Sequence, residues 1–332
     1  DTAEVPPEHD ICRDADYVLK LSIARFFNSR SSVSRRLHLS GPVTALALGE
    51  FARVSHSRLY YHTTTPHQLD DALARVATLL GWGAIRSSEP EAPLIGAEVV
   101  PESRAIAAIA RELAARVEAT RPPRHYRWRH IRAFHNAFLL SLGLLGRNRE
   151  STVVVGAPWS VELGLAGVHD KKTPNSKGAT PTAACKQVRD QLAHWFTHLE
   201  FVVERLDRLG LSCRTLRHRI SVVQEGTNPS IVFTINDDDQ PEPCGSAGAY
   251  GHLDESLRVK GDAARHFWEQ FFSEEAVPDE LADAQSRRNV RWSDYWHQTS
   301  PLSGTRLRRV ISLVQERVLD QLGIRAIKGL TK

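Results

Sequence analysis

The chain has 332 residues, 41% hydrophobic and 25% charged, with a formal net charge of +4 and a pI near 8.9. That size holds two domains or one large one, and the composition is that of a packed globular protein. No stretch approaches the ~18 apolar residues of a membrane span, and the start lacks the basic and apolar regions of a secretory leader. Cys12, Cys185, Cys213 and Cys244 form no CxxC pair. A cytoplasmic protein with neither disulfide framework nor zinc ribbon is therefore expected.

In chain order, residues 1–30 carry apolar residues at helical spacing, and 29–42 is a Ser/Arg/Pro-rich connector. Residues 69–83 predict an amphipathic helix ended by glycine, and the Pro-punctuated run 85–103 predicts a loop with extended pieces. Residues 104–120 predict a strong helix with Ser103 as N-cap, stopped at Arg121-Pro122-Pro123. That proline pair is the expected domain boundary, giving domains 1–120 and 121–332.

The second half begins with a buried helix over 130–146 and a β-rich stretch over 151–172. A long amphipathic helix is expected over 185–210 and a strand over 230–237, followed by a Pro/Gly-rich loop. Residues 266–284 read as helix, turn, helix, and 306–323 as a closing helix. No internal repeat is present. The expected fold class is mostly α with a small antiparallel β-sheet.

Of the 43 basic residues, 8 are lysine and 35 arginine. Guanidinium forks suit phosphate, although Arg-favouring codon usage yields the same excess. Residues 121–132 interleave Arg124, Arg127 and Arg129 with Tyr126 and Trp128, a pattern for gripping a nucleic-acid backbone as well as for a plain basic helix start. The Leu-Arg-His-Arg run ending at Arg219 is a second basic patch. Asp237, Asp238 and Asp239 read as a solvated turn. His125, His130 and His135 recur every five residues and so do not share a helical face, and no metal site is expected.

One set of residues points to chemistry. Residues 143–150 read GLLGRNRE, with Arg147 after a glycine and Glu150 three positions on. Lys171 and Lys172 follow about two dozen residues later, next to predicted strands. Asp262-Ala263-Ala264-Arg265-His266 opens a helix, and Tyr295 lies 30 residues after Arg265. This order resembles the tyrosine recombinases of the phage-integrase family, whose boxes are usually written TGxRxxE and HxxRH. The resemblance covers about 130–325. It departs from the family pattern at three points: no residue separates Gly146 from Arg147, Asp262 stands at the usual His or Lys position, and no Gly-His pair occurs in 282–292.

The resemblance implies a two-domain C-shaped clamp around double-stranded DNA, with a helical N-terminal domain and a catalytic C-terminal one. It implies Tyr295 as nucleophile, Arg147 and Arg265 as the phosphate clamp, Lys171 as leaving-group acid and His266 as a supporting residue. Arg124, Arg127, Trp128, Arg129, Lys172 and Arg219 would contact DNA. A dimer or tetramer on DNA, association with the nucleoid, and no metal or small-molecule cofactor are implied as well. The alternatives are a catalytically inactive DNA-binding member and an unrelated α-rich protein with no affinity for DNA.

Overall fold

The computed structural model describes residues 32–33, 36–48, 62–81, 95–96, 102–123, 126–139, 164–169, 179–225, 231–243, 263–286 and 303–331. These residues are mostly helical, with short antiparallel two-stranded sheets. Two compact units divide the chain: 1–54 with 64–95, and 55–63 with 96–332.

In the first unit, α1 spans Gly41–Leu48. The two-residue strand β1 covers Thr63–Thr64, at the division between the units. α2 spans Pro66–Leu79 and begins three residues before the expected helix. Its start is fixed by a reciprocal cap. Thr65 Oγ1 accepts the Gln68 N–H at 3.1 Å, and Gln68 Oε1 accepts the Thr65 N–H at 2.8 Å, with Pro66 at the first helical position. Ala72, Val76 and Ala77 are the buried face, and Gly81 in the left-handed region (φ 70°) ends the run. A second two-residue strand, β2, covers Ile95–Gly96.

The second unit starts with α3, Ser103–Ala119. Ile106, Ile109, Leu113 and Val117 line its buried stripe. The N-cap is Glu102 in extended backbone, one residue before the serine expected there, and it makes no side-chain cap bond. α4 spans Trp128–Phe138 and buries Ile131, Phe134, His135 and Phe138, at the i, i+3, i+4, i+7 spacing of one helical face. Ile109, Leu113 and Val117 of α3 share one core with these residues. The Pro122-Pro123 pair joins two helices that share this core, within the unit of 55–63 and 96–332.

β3 (Leu165–His169) pairs antiparallel with β4 (Ala179–Ala183), in a register running from Leu165 opposite Ala183 to His169 opposite Ala179. Gly164 leads in at φ 70°, where an added Cβ would come within 2.8 Å of Arg189 and Arg308. α5 (Lys186–Arg208) and α6 (Arg214–Gln224) follow. β5 (Phe233–Ile235) then pairs antiparallel with β6 (Pro241–Pro243). α7 (Ala263–Glu274), α8 (Asp279–Gln285) and α9 (Gly304–Gln321) complete the helices. Residues 324–331 run on without regular structure.

Two apolar clusters fill this unit. One joins α3, α4, α5, α6 and β5 around Trp195, Phe134 and Phe233, and the other joins α7, α8 and α9 around Trp268, Phe272 and Leu307. Among the described residues no helix is long and apolar enough to cross a membrane.

Among the described residues the elements are tied together by a device that recurs. A side-chain amide pairs with both backbone groups of one distant residue, as a neighbouring strand would. Asn136 bonds the N–H and C=O of Ile235, both at 2.8 Å. Gln191 bonds Ile327 at 2.8 and 3.2 Å, and Gln285 bonds Ala183 at 2.7 and 3.1 Å. Each pair satisfies two backbone groups that lack a ladder partner on that side.

Candidate functional site

The hairpin is the element most relevant to the expected chemistry. Lys171 and Lys172 fall in sequence between β3 and β4, and both side chains lie outside the described residues. The base of the hairpin is held firmly. β4 packs against α8 and α9, and buried Gln285 at the end of α8 clamps Ala183. The chain that leaves α8 toward Tyr295 is thus anchored to the strand that follows the two lysines.

Arg265 and His266 sit in the first turn of α7. The Arg265 side chain lies outside the described residues, whereas His266 is half-buried. One turn on, buried Glu269 accepts a hydrogen bond from Ser286 Oγ, tying α7 to the residue after α8. Arg147, Tyr295 and Arg124 also lie outside the described residues. Three of the five expected catalytic residues, Arg147, Lys171 and Tyr295, therefore have no described geometry.

The expected DNA-contacting residues divide into two kinds. Arg127 and Arg129 are exposed at the start of α4, where the Arg127 N–H is capped by His130 Nδ1 at 3.1 Å. Trp128 is instead committed to the fold. Its indole N–H donates to Asp239 Oδ1 at 2.7 Å, and its ring packs on the core. Arg219 is likewise occupied: its guanidinium lies over the Phe233 ring, 5.5 Å from the centroid, and burial lowers its pKa.

The aspartates at 237–239 are more than a solvated turn. Arg132 donates to the Asp237 carbonyl and to Oδ1 of Asp237 and of Asp239, at 2.8–3.0 Å. Asn236 Oδ1 accepts the N–H groups of Asp238 and Gln240, which lets Asp239 adopt a left-handed φ of 60°. Sequence reasoning missed this lock because its halves lie about a hundred residues apart.

His198 escaped the sequence reading, and His135 stood out there only as one of three spaced histidines. His135 and His198 are fully buried, with ring nitrogens 3.3 Å apart. Burial lowers both pKa values, that of His135 to about 4. Cys185, the N-cap residue of α5, is buried, and burial pushes its thiol up to about 11, which makes it a poor nucleophile. Among the described residues no group of three or more His, Cys, Asp or Glu could hold a metal ion.

No family model, curated relative or solved structure matches the chain. Any functional reading therefore rests on its own residues and geometry.

Proposed function

We propose that this chain cuts and rejoins duplex DNA through a tyrosine nucleophile, in the manner of the tyrosine recombinases it resembles. The observation that carries the reading is the antiparallel β3–β4 hairpin, with Lys171 and Lys172 in sequence between its strands and the long helix α5 directly after it. The remaining boxes fall in the required order: Arg147 before the hairpin, Arg265 in the first turn of α7, and Tyr295 after α8.

The chemistry follows from residue types. The Tyr295 phenol gives its proton to solvent water as its oxygen attacks the phosphorus, forming a 3′-phosphotyrosyl bond and expelling the 5′-oxygen, which takes a proton from Lys171 Nζ. Negative charge gathers on the non-bridging oxygens, and the guanidinium forks of Arg147 and Arg265 hold them by paired charge-assisted bonds. His266 supports that phosphate. The phosphodiester energy stays in the covalent link, so reversal by a 5′-hydroxyl rejoins the strand. Losing either arginine costs about 3 kcal/mol of transition-state stabilisation, a rate loss of two orders of magnitude or more.

A clamp closing on double-stranded DNA, with Arg124, Arg127, Arg129 and Lys172 on backbone phosphates and two or four copies on paired sites, belongs to the same proposal. So does residence on the nucleoid. A second reading, DNA binding without cleavage, is favoured by Asp262 at the usual His position and by the missing Gly-His pair after α8.

A nicked suicide duplex carrying the end sequence of the encoding element separates these readings. Wild type is expected to give a slow-migrating covalent adduct on a denaturing gel, and Tyr295→Phe none. Salt-sensitive binding without an adduct from either protein supports the second reading, and absence of DNA affinity sinks both.

A further inference from the structure

We propose that residues 324–331 form a strap whose release is coupled to proton uptake by the buried His198–His135 pair.

A single hydrogen-bond chain runs through the second unit. The Leu330 N–H points at His198 Nδ1 (3.4 Å), His198 Nε2 meets His135 Nδ1 (3.3 Å), and His135 Nε2 meets the Phe233 carbonyl (3.1 Å). Its ends are backbone groups of fixed polarity. An N–H can only donate, so His198 Nδ1 is the acceptor and its proton sits on Nε2. A carbonyl can only accept, so His135 also carries its proton on Nε2 and leaves Nδ1 to receive His198. Both ends demand the same pair of tautomers, and with both rings neutral every group is satisfied.

A further proton has nowhere to go. On His198 Nδ1 it would face the Leu330 N–H, and on His135 Nδ1 it would face the His198 N–H. Among the described residues no acidic side chain faces the pair to compensate it. From the end of α3 the facing charge is Arg121, which carries its own positive charge, pairs with Glu118 at 2.7 Å and donates to the Lys328 carbonyl at 3.0 Å. From α4 and β5 the facing groups are Phe134, Phe138 and Phe233, and from α5 it is Trp195. Arg325 and Lys328 of the strap are exposed cations. Burial and the Arg121 charge both disfavour the charged imidazole, which lowers the His198 pKa.

The strap is built to open locally. A cavity of about 530 Å³ lies along it, lined by Ala110, Ala114 and Arg111 of α3 and by Ile324, Ile327 and Lys328. Among the described residues it is held by the Gln191 clamp on Ile327, the Arg121 bond, the His198 bond and the burial of Ile324 and Leu330. Close approach at Gly329 completes the seat, where an added Cβ would lie 2.6 Å from His198 Cβ and 2.9 Å from the His194 oxygen. Once the strap lifts, water reaches His198 and its pKa returns toward 6.5. Open states are therefore favoured as pH falls below that value.

Hydrogen exchange of a peptide covering 324–331, corrected for intrinsic pH dependence, tests this. Opening in the wild type is expected to rise about tenfold between pH 7.5 and 5.5, one proton being taken up per opening. His198→Asn keeps an acceptor near the Nδ1 position but cannot be charged there, so its strap is expected to stay protected at both pH values. Gly329→Ala is expected to exchange fast at both. A wild-type rise that persists in His198→Asn, is matched by a core peptide of α5, or does not occur overturns the proposal. If His198→Asn does not fold, ¹⁵N-detected imidazole spectra of the wild type decide: protons on Nε2 of both rings support the chain, and either ring protonated on Nδ1 overturns it.

Discussion

At the residue scale, the amide clamps decide where loops attach to helices. Gln285 is 1% exposed and serves both backbone groups of Ala183. Replacing it with leucine keeps the volume but leaves a buried N–H and a buried carbonyl unpaired. The expected loss is about 2–4 kcal/mol, read as a lower urea midpoint at unchanged slope. An unchanged midpoint would mean that Ala183 finds other partners. The sequence offers no sign of this role, since a glutamine at the end of an amphipathic helix reads as a surface residue. The same blindness hid Asn136, Gln191 and His198. Their polarity marks them as exposed, and partners far away in sequence make burial favourable.

At the element scale, local patterns carried most of the information. α5, α9 and the α7–turn–α8 passage match the expected helices to within a few residues, because each buries a stripe at helical spacing. α2 began earlier than expected because a reciprocal Thr65–Gln68 cap outranks the first apolar residue as a start signal. Thr65→Ala is expected to destabilise the first unit by about 1 kcal/mol, with fraying of the first turn visible as faster amide exchange at Gln68. α4 runs only from Trp128 to Phe138 among the described residues, against 130–146 from the pattern. The Ala-Thr-Pro-Thr-Ala of β4 and the Pro-Glu-Pro of β6 have poor strand propensity. Each is recruited by a partner strand, which supplies the ladder that its own residues do not ask for.

At the scale of the whole molecule, the buried imidazoles tie stability to pH. Both histidines have folded pKa values below the 6.5 of an exposed ring, so their neutral forms stabilise the protein fully above pH 6.5. That stability drains away as pH falls toward the folded values. For His135, with a folded value of about 4, the total is about 3 kcal/mol, lost between pH 6.5 and 4. Unfolding by urea at several pH values is expected to show this decline, and His198→Asn to flatten it by about one proton. Equal slopes for the two proteins would remove His198 from the account. Glu118, held below the usual carboxylate range by its hydrogen bonds to Arg121, adds a loss of the same sign at lower pH.

What the sequence determined by itself was the helical class, most helix positions in the second unit, and the order of Arg147, Lys171, Arg265 and Tyr295 along the chain. These are properties of spacing, and spacing survives without knowledge of contacts. The tertiary structure decided which residues belong together. It packed the apolar stripe of α3 into one core with α4, across the proline pair. It assigned Trp128 to Asp239 and Arg219 to Phe233, and it placed two neutral histidines in series between a strap and a strand. The physical reason is common to all of these. A polar or aromatic side chain has several favourable fates in isolation, and burial against a distant partner selects one of them.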